Sequence, residues 1–210
     1  MYRRITLIVL VLGLALSVAV TPAAAKTETF HFSFKGQFAE AGFSSFDETG
    51  CIETHVLVFA HDGKVKQDGG PEVESMAIVS INQSNRCTQE LVLSAGGIAT
   101  LPPDDFVIDK QLNQATLTTT IVVEDFNTGT TFPVDVNVTW TGVGETSTVK
   151  EHFLTKEPGF KVNFRLMGTF REAEASGTVT GLGINFTPEP AFFADMFTRT
   201  IGEVIIERVV

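Results

Sequence analysis

The sequence predicts an all-β protein, on three observations. Apolar and polar residues alternate with a period of two over long stretches, those stretches are rich in β-branched and aromatic residues, and none keeps a clean helical period. The expected architecture is an antiparallel meander forming a barrel or flattened barrel of about ten strands, with one short helix near residues 190–198. A two-sheet β-sandwich is the alternative.

Residues 1–25 read as a signal peptide. Arg3 and Arg4 precede an apolar run over 5–20, and Ala23-Ala24-Ala25 supplies the small-residue cleavage pattern. The run is shorter than the roughly 20 residues of a spanning helix. Residues 26–210 then form a single domain, expected to be secreted or periplasmic and not membrane-embedded.

Along that domain, Phe30, Phe32 and Phe34 share one face of a strand, with His31, Ser33 and Lys35 on the other. Segments near 52–61, 74–82 and 89–95 are the next strands. The first of them is apolar on both faces and so must be covered on both sides. A hairpin centred on Thr128-Gly129 places Val123 opposite Val134 and Ile121 opposite Val136. That register sorts both strands into an apolar and a polar face.

A strand over 160–171 follows a turn at Pro158-Gly159. A two-residue loop there puts Glu151 on the apolar face; a three-residue loop puts Lys150 and His152 there. A further turn is expected at 172–175, setting Phe170 against Gly177. Pro190 opens the expected helix, with Phe192, Phe193, Met196 and Phe197 on one side. A last strand over 201–209 closes the fold.

Composition narrows the function classes. With 43% hydrophobic and 19% charged residues, the chain is neither a disordered tail nor a coiled coil. Loss of Arg3 and Arg4 with the leader takes the formal charge from −10 to −12, which disfavours nucleic acid as a partner. Eighteen Phe stand against one Trp and one Tyr, so the aromatics read as interior filling rather than a sugar-stacking platform. Scarcity of Tyr and Trp also argues against an outer-membrane barrel, which carries girdles of both.

Cys51 and Cys87 are the only cysteines and are expected to form one disulfide. Of the four histidines, His55 and His61 share a strand face about 20 Å apart, too far to hold one metal ion. His61 precedes Asp62-Gly63 and is expected at a strand end facing water. Asp104, Asp105 and Asp109 lack the order of a calcium loop and read as turn residues. No nucleophile elbow or phosphate loop is present, and no cofactor is expected.

Three readings remain. The first is an exported, non-enzymatic β domain with a binding or structural role. The second is a barrel carrier of a small apolar ligand in a Phe-lined pocket. The third is an enzyme of unrecognised type, with Glu151, His152 and Arg165 as weak catalytic candidates, because ionisable groups on an apolar face often mark a site. The partner is accordingly an unidentified protein or a small apolar molecule.

Overall fold

The computed structural model describes residues 27–68, 70, 72–181, 184–186 and 190–209. The leader read at 1–25 lies outside the described residues. Eleven strands follow one another: β1 (Thr27–Phe46), β2 (Ile52–Gln67), β3 (Val73–Asn85), β4 (Glu90–Thr100), β5 (Phe106–Ile108), β6 (Gln114–Asp125), β7 (Thr131–Gly142), β8 (Ser147–Glu157), β9 (Phe160–Gly181), β10 (Ile184–Phe186) and β11 (Phe193–Val209). All belong to one antiparallel sheet, and β1, β2, β3, β4, β6, β7, β9 and β11 pair in a closed ring. The result is barrel-like. A two-sheet sandwich is thereby set aside.

The long strands bury opposite faces at their two ends. In β1, Ala39, Ala41 and Phe43 enter a first core with Val56, Val79, Leu117, Val136 and Trp140. Phe34 and Phe38, on the alternate face, enter a second core with Val162, Phe164, Leu166, Phe197 and Val204. β9 and β11 divide their apolar residues between the same two cores. Trp140 is fully buried, and its indole N–H donates to the Glu40 carbonyl at 2.9 Å.

The strands pass from one core to the other beside a pair of glycines. Gly36 faces Gly63, and a Cβ on either would stand 2.2 Å from a backbone oxygen of the opposite strand. No larger residue fits that approach. Gly202 serves a related purpose in the second core, where a Cβ would stand 2.0 Å from the Phe34 ring of the neighbouring strand.

Four sequence expectations need correction. The hairpin β6–β7 forms with the expected faces, but Ile121 pairs with Val134 and Val123 with Phe132, two residues from the expected register. The cause is the loop: the Asp125 carboxylate accepts from the Asn127 N–H at 2.9 Å and from the Thr128 hydroxyl at 2.8 Å, lengthening it on the β6 side. An even shift leaves every side chain on its face.

No turn occurs at 172–175. β9 runs straight through, and Ala175 lies opposite Trp140, where a small residue leaves room for the indole. The helix expected at 190–198 is instead the start of β11. There Met196 enters the first core and Phe197 the second, so adjacent apolar residues serve two faces of a strand and imitate a helical stripe. Finally, His61 is not at an exposed strand end; β2 continues to Gln67 and His61 is 1% exposed.

Cys51 and Cys87 form the expected disulfide, with Cα atoms 5.4 Å apart. It joins the turn before β2 to the turn after β3. Beside it Arg86 grips Glu53 through two bonds of 2.6 and 2.8 Å. Replacing both cysteines with alanine is expected to lower stability by roughly 2–4 kcal/mol. Urea unfolding of the oxidised protein and the double variant measures this.

Candidate functional site

Five strands, in the order β2, β1, β11, β9, β8, present the face away from the second core as an open groove of about 820 Å³. Register decides what stands on it. One row across the strands reads Lys66, Ser33, Glu203, Arg165, His152; the next reads Lys64, Lys35, Ile201, Met167, Lys150. On the reverse face the intervening row is Val65, Phe34, Gly202, Leu166, Glu151. Polar and apolar rows alternate because strand side chains do.

The groove collects Lys35, Lys64, Lys66, Lys150 and Arg165, five of the chain's 15 basic residues, in a chain with a formal charge of −10. Its acids are engaged. Glu72 pairs with Lys64 at 2.7 Å, and Glu203 lies 3.0 Å from the His31 ring. Lys35, Lys150 and Arg165 make no side-chain hydrogen bond or ion pair among the described residues. Lys35 also stands directly opposite Lys64 across β1 and β2. Like charges in that position are unfavourable for the sheet, and the Glu72 carboxylate paired with Lys64 offsets part of that cost while Lys35 keeps no ion-pair partner among the described residues.

The three catalytic candidates from the sequence, Glu151, His152 and Arg165, all line this groove. The Pro158-Gly159 loop has two residues, since Glu157 pairs with Phe160, and Gly159 takes a φ of 77°. That choice puts Glu151 on the row of the second core. His152 and Arg165 face each other on the groove side, where the His152 ring lies 2.9 Å from the Asn163 side-chain oxygen. Consecutive residues of a strand project to opposite faces, so the Glu151 carboxylate does not join the His152 imidazole. The arrangement suits holding an anion better than moving a proton.

A second groove of about 590 Å³ adjoins the first and shares Lys35 and Ile201 with it; Lys110, Gln37 and Asp62 are among its other lining residues. Sequence reasoning named Lys150 only as one outcome of the Pro158-Gly159 loop and Lys35 only as a polar-face residue, and it did not single out Lys64, Lys66 or Lys110. The signal was present in part: Lys35 follows Ser33 on the polar face of β1, and Lys64 alternates with Lys66. Their convergence depends on cross-strand register. Among the described residues no group of three His, Cys, Asp or Glu side chains is placed to hold a metal ion.

Two titratable groups sit apart from the groove. Glu40 is half-buried between Phe59 of β2 and Asp195 of β11, its direct strand neighbours. Burial, with the Asp195 charge adding to it, pushes its carboxyl up from 4.5 to about 8. The apolar recess beside it holds only about 20 Å³. His61 faces Phe38 and Met76, with the Phe34 ring edge-on at 6.2 Å, and neither ring nitrogen has a hydrogen-bond partner among the described residues. Burial lowers its pKa from 6.5 to about 4 against a weaker opposing pull from Asp62.

No protein-family model and no curated protein matches the chain. Among solved structures, a similarity is found to a provisionally named AttH protein of Nitrosomonas europaea, at 13% identity and a TM-score of 0.24. It covers 91% of this chain and 58% of that one. The chain therefore spans little more than half of that protein, and a superposition of this quality carries no functional argument.

The two buried groups give opposite pH dependences. The folded protein keeps the Glu40 proton up to about pH 8, whereas the unfolded chain releases it near 4.5, so stability declines as pH rises through that window. Glu40→Gln is expected to remove the decline, about 2 kcal/mol after allowance for partial exposure. Conversely, unfolded His61 gains a proton below about 6.5 that the folded state refuses until about 4, so stability falls as pH drops between them. His61→Leu is expected to recover about 2–3 kcal/mol at pH 4. Urea midpoints of the three proteins from pH 4 to 9 check both.

Proposed function

We propose that the chain is a non-enzymatic, extracytoplasmic binding domain whose ligand is an anion held in the groove over β2, β1, β11, β9 and β8. The observation that carries this reading is that Lys35, Lys150 and Arg165 make no ion pair among the described residues and stand with Lys64 and Lys66 in one open groove of an acidic protein. Strand positions that oppose like charges are retained at a cost, and a bound anion offsets that cost. The disulfide is consistent with a location outside the cytoplasm.

A carrier of apolar molecules has less support. Phe34, Phe38, Phe43, Phe106, Phe164 and Phe197 are packed into the two cores, and the apolar recess at Glu40 is far below the roughly 300 Å³ of a small-molecule site. An enzyme has less support as well, since the His152 ring meets Asn163 rather than a carboxylate.

The test is titration with citrate and sulfate, followed by backbone NMR shifts and by thermal unfolding. Shifts are expected to centre on Lys35, Lys64 and Arg165, with affinity falling as salt is raised. Lys35→Gln is expected to weaken citrate binding about tenfold while stabilising the unliganded fold by roughly 0.2–1 kcal/mol. Shifts scattered over the whole surface, or a Lys35→Gln variant that binds as well as the parent, would count against the site.

A further inference from the structure

Resting on the anion-binding reading, we propose that the groove takes one extended chain of acidic sugars, carboxylated or sulfated, laid across the strands rather than a compact anion. Three features of the groove lead there. The first is its length. From Lys66 of β2 to Lys150 of β8 there are four strand-to-strand steps, or about 19 Å at the spacing of paired strands. A compact anion reaches two or three of these cations at once; the others would stand idle.

The second feature is continuation. The neighbouring groove shares Lys35 and Ile201 with the first and carries the positive path on to Lys110. Six cations, namely Lys66, Lys64, Lys35, Arg165, Lys150 and Lys110, thus line two adjacent grooves that share Lys35 and Ile201. The carboxylate of Asp62 there is engaged by Gln37 at 3.3 Å and Ser75 at 2.9 Å, as Glu72 and Glu203 are by their own partners. Asp62 and Glu203 are thus held by groups other than the groove cations, and Glu72 occupies Lys64 alone, which leaves Lys35, Lys66, Lys150, Arg165 and Lys110 for a ligand.

The third feature is the floor. Ile201 and Met167 are each 47% exposed between Lys35 and Lys150. They offer aliphatic surface to the C–H faces of sugar rings while the lysines and Arg165 hold the acid groups. Single-stranded nucleic acid is a poorer occupant, because such strands are held by stacking on aromatic platforms and His152 is the one aromatic ring in the two rows. An anionic bilayer is a poorer occupant too. A planar surface meets the whole acidic molecule, whereas a single chain within the groove feels the local cations inside a screening length of about 8–10 Å.

The experiment is a calorimetric length series on the purified protein at constant ionic strength. The probes are galacturonic acid as monomer, trimer, hexamer and dodecamer, and heparin-derived oligosaccharides of matching lengths. Affinity is expected to rise roughly 100-fold or more from monomer to hexamer and then level off as the groove fills. Lys66→Ser and Lys150→Ser, on the two outer strands of the groove, are expected to cut hexamer affinity about tenfold while leaving the trimer within about twofold. Whichever series shows the steeper rise identifies the acid group.

Equal affinity per acid group at every length, with citrate still bound, overturns the extended-chain proposal and leaves the anion site standing. Absence of binding by every uronate, heparin fragment and citrate overturns both. Tighter binding of phosphatidylglycerol vesicles or of a single-stranded oligonucleotide, at matched charge, overturns the assignment to polysaccharide.

Discussion

Burial on alternate faces of the same strands is the constraint on which the structure depends. β1, β9 and β11 each give one set of side chains to the core around Trp140 and the opposite set to the core of Phe34, Phe38 and Phe164. A strand committed in this way has no freedom to slip, because a one-residue shift would expose one core and force polar groups into the other. The Gly36–Gly63 approach and the ring of Phe34 over Gly202 are local consequences. Both are places where backbone or ring comes too near for any side chain on the facing residue.

The groove is the complement of the second core. Where five strands turn Phe34, Leu166 and Val65 to one side, their alternate residues must stand on the other, and these include Lys35, Lys64 and Arg165. Placing positive charge there in an acidic protein concentrates a local field opposite in sign to the molecule's own. Such a field distinguishes a ligand that enters the groove from one that meets only the outer surface. Lys35 opposite Lys64 works against the sheet, with the Glu72 carboxylate on Lys64 as a partial offset. Glu40 and His61 strain stability in another way, through desolvation, and from opposite directions in pH.

Much of this was legible from residue order, and the misreadings share one origin. The faces of β6 and β7 follow from alternation alone, and Glu151 on the apolar row was one of two stated outcomes at Pro158-Gly159. The exact pairing of β6 with β7 was not legible, because Asp125 chooses its loop through hydrogen bonds that leave the alternation unchanged. Met196 and Phe197 read as a helical stripe because a strand buried on both faces places apolar residues side by side. His61 read as exposed because Asp62-Gly63 resembles a turn, whereas Gly63 is there to meet Gly36.

The amino-acid order by itself determined the all-β class, the faces of most strands and the cysteine pair, since each is set by local alternation or by having a single possible partner. It also singled out His152 and Arg165, which the register sets opposite each other on the groove side, with Glu151 on the other row. Only the tertiary structure decided that Lys35 meets Lys64 and that Lys150 and Arg165 share their groove. Those residues lie far apart along the chain, and no local pattern encodes which strands become neighbours or where their registers fall.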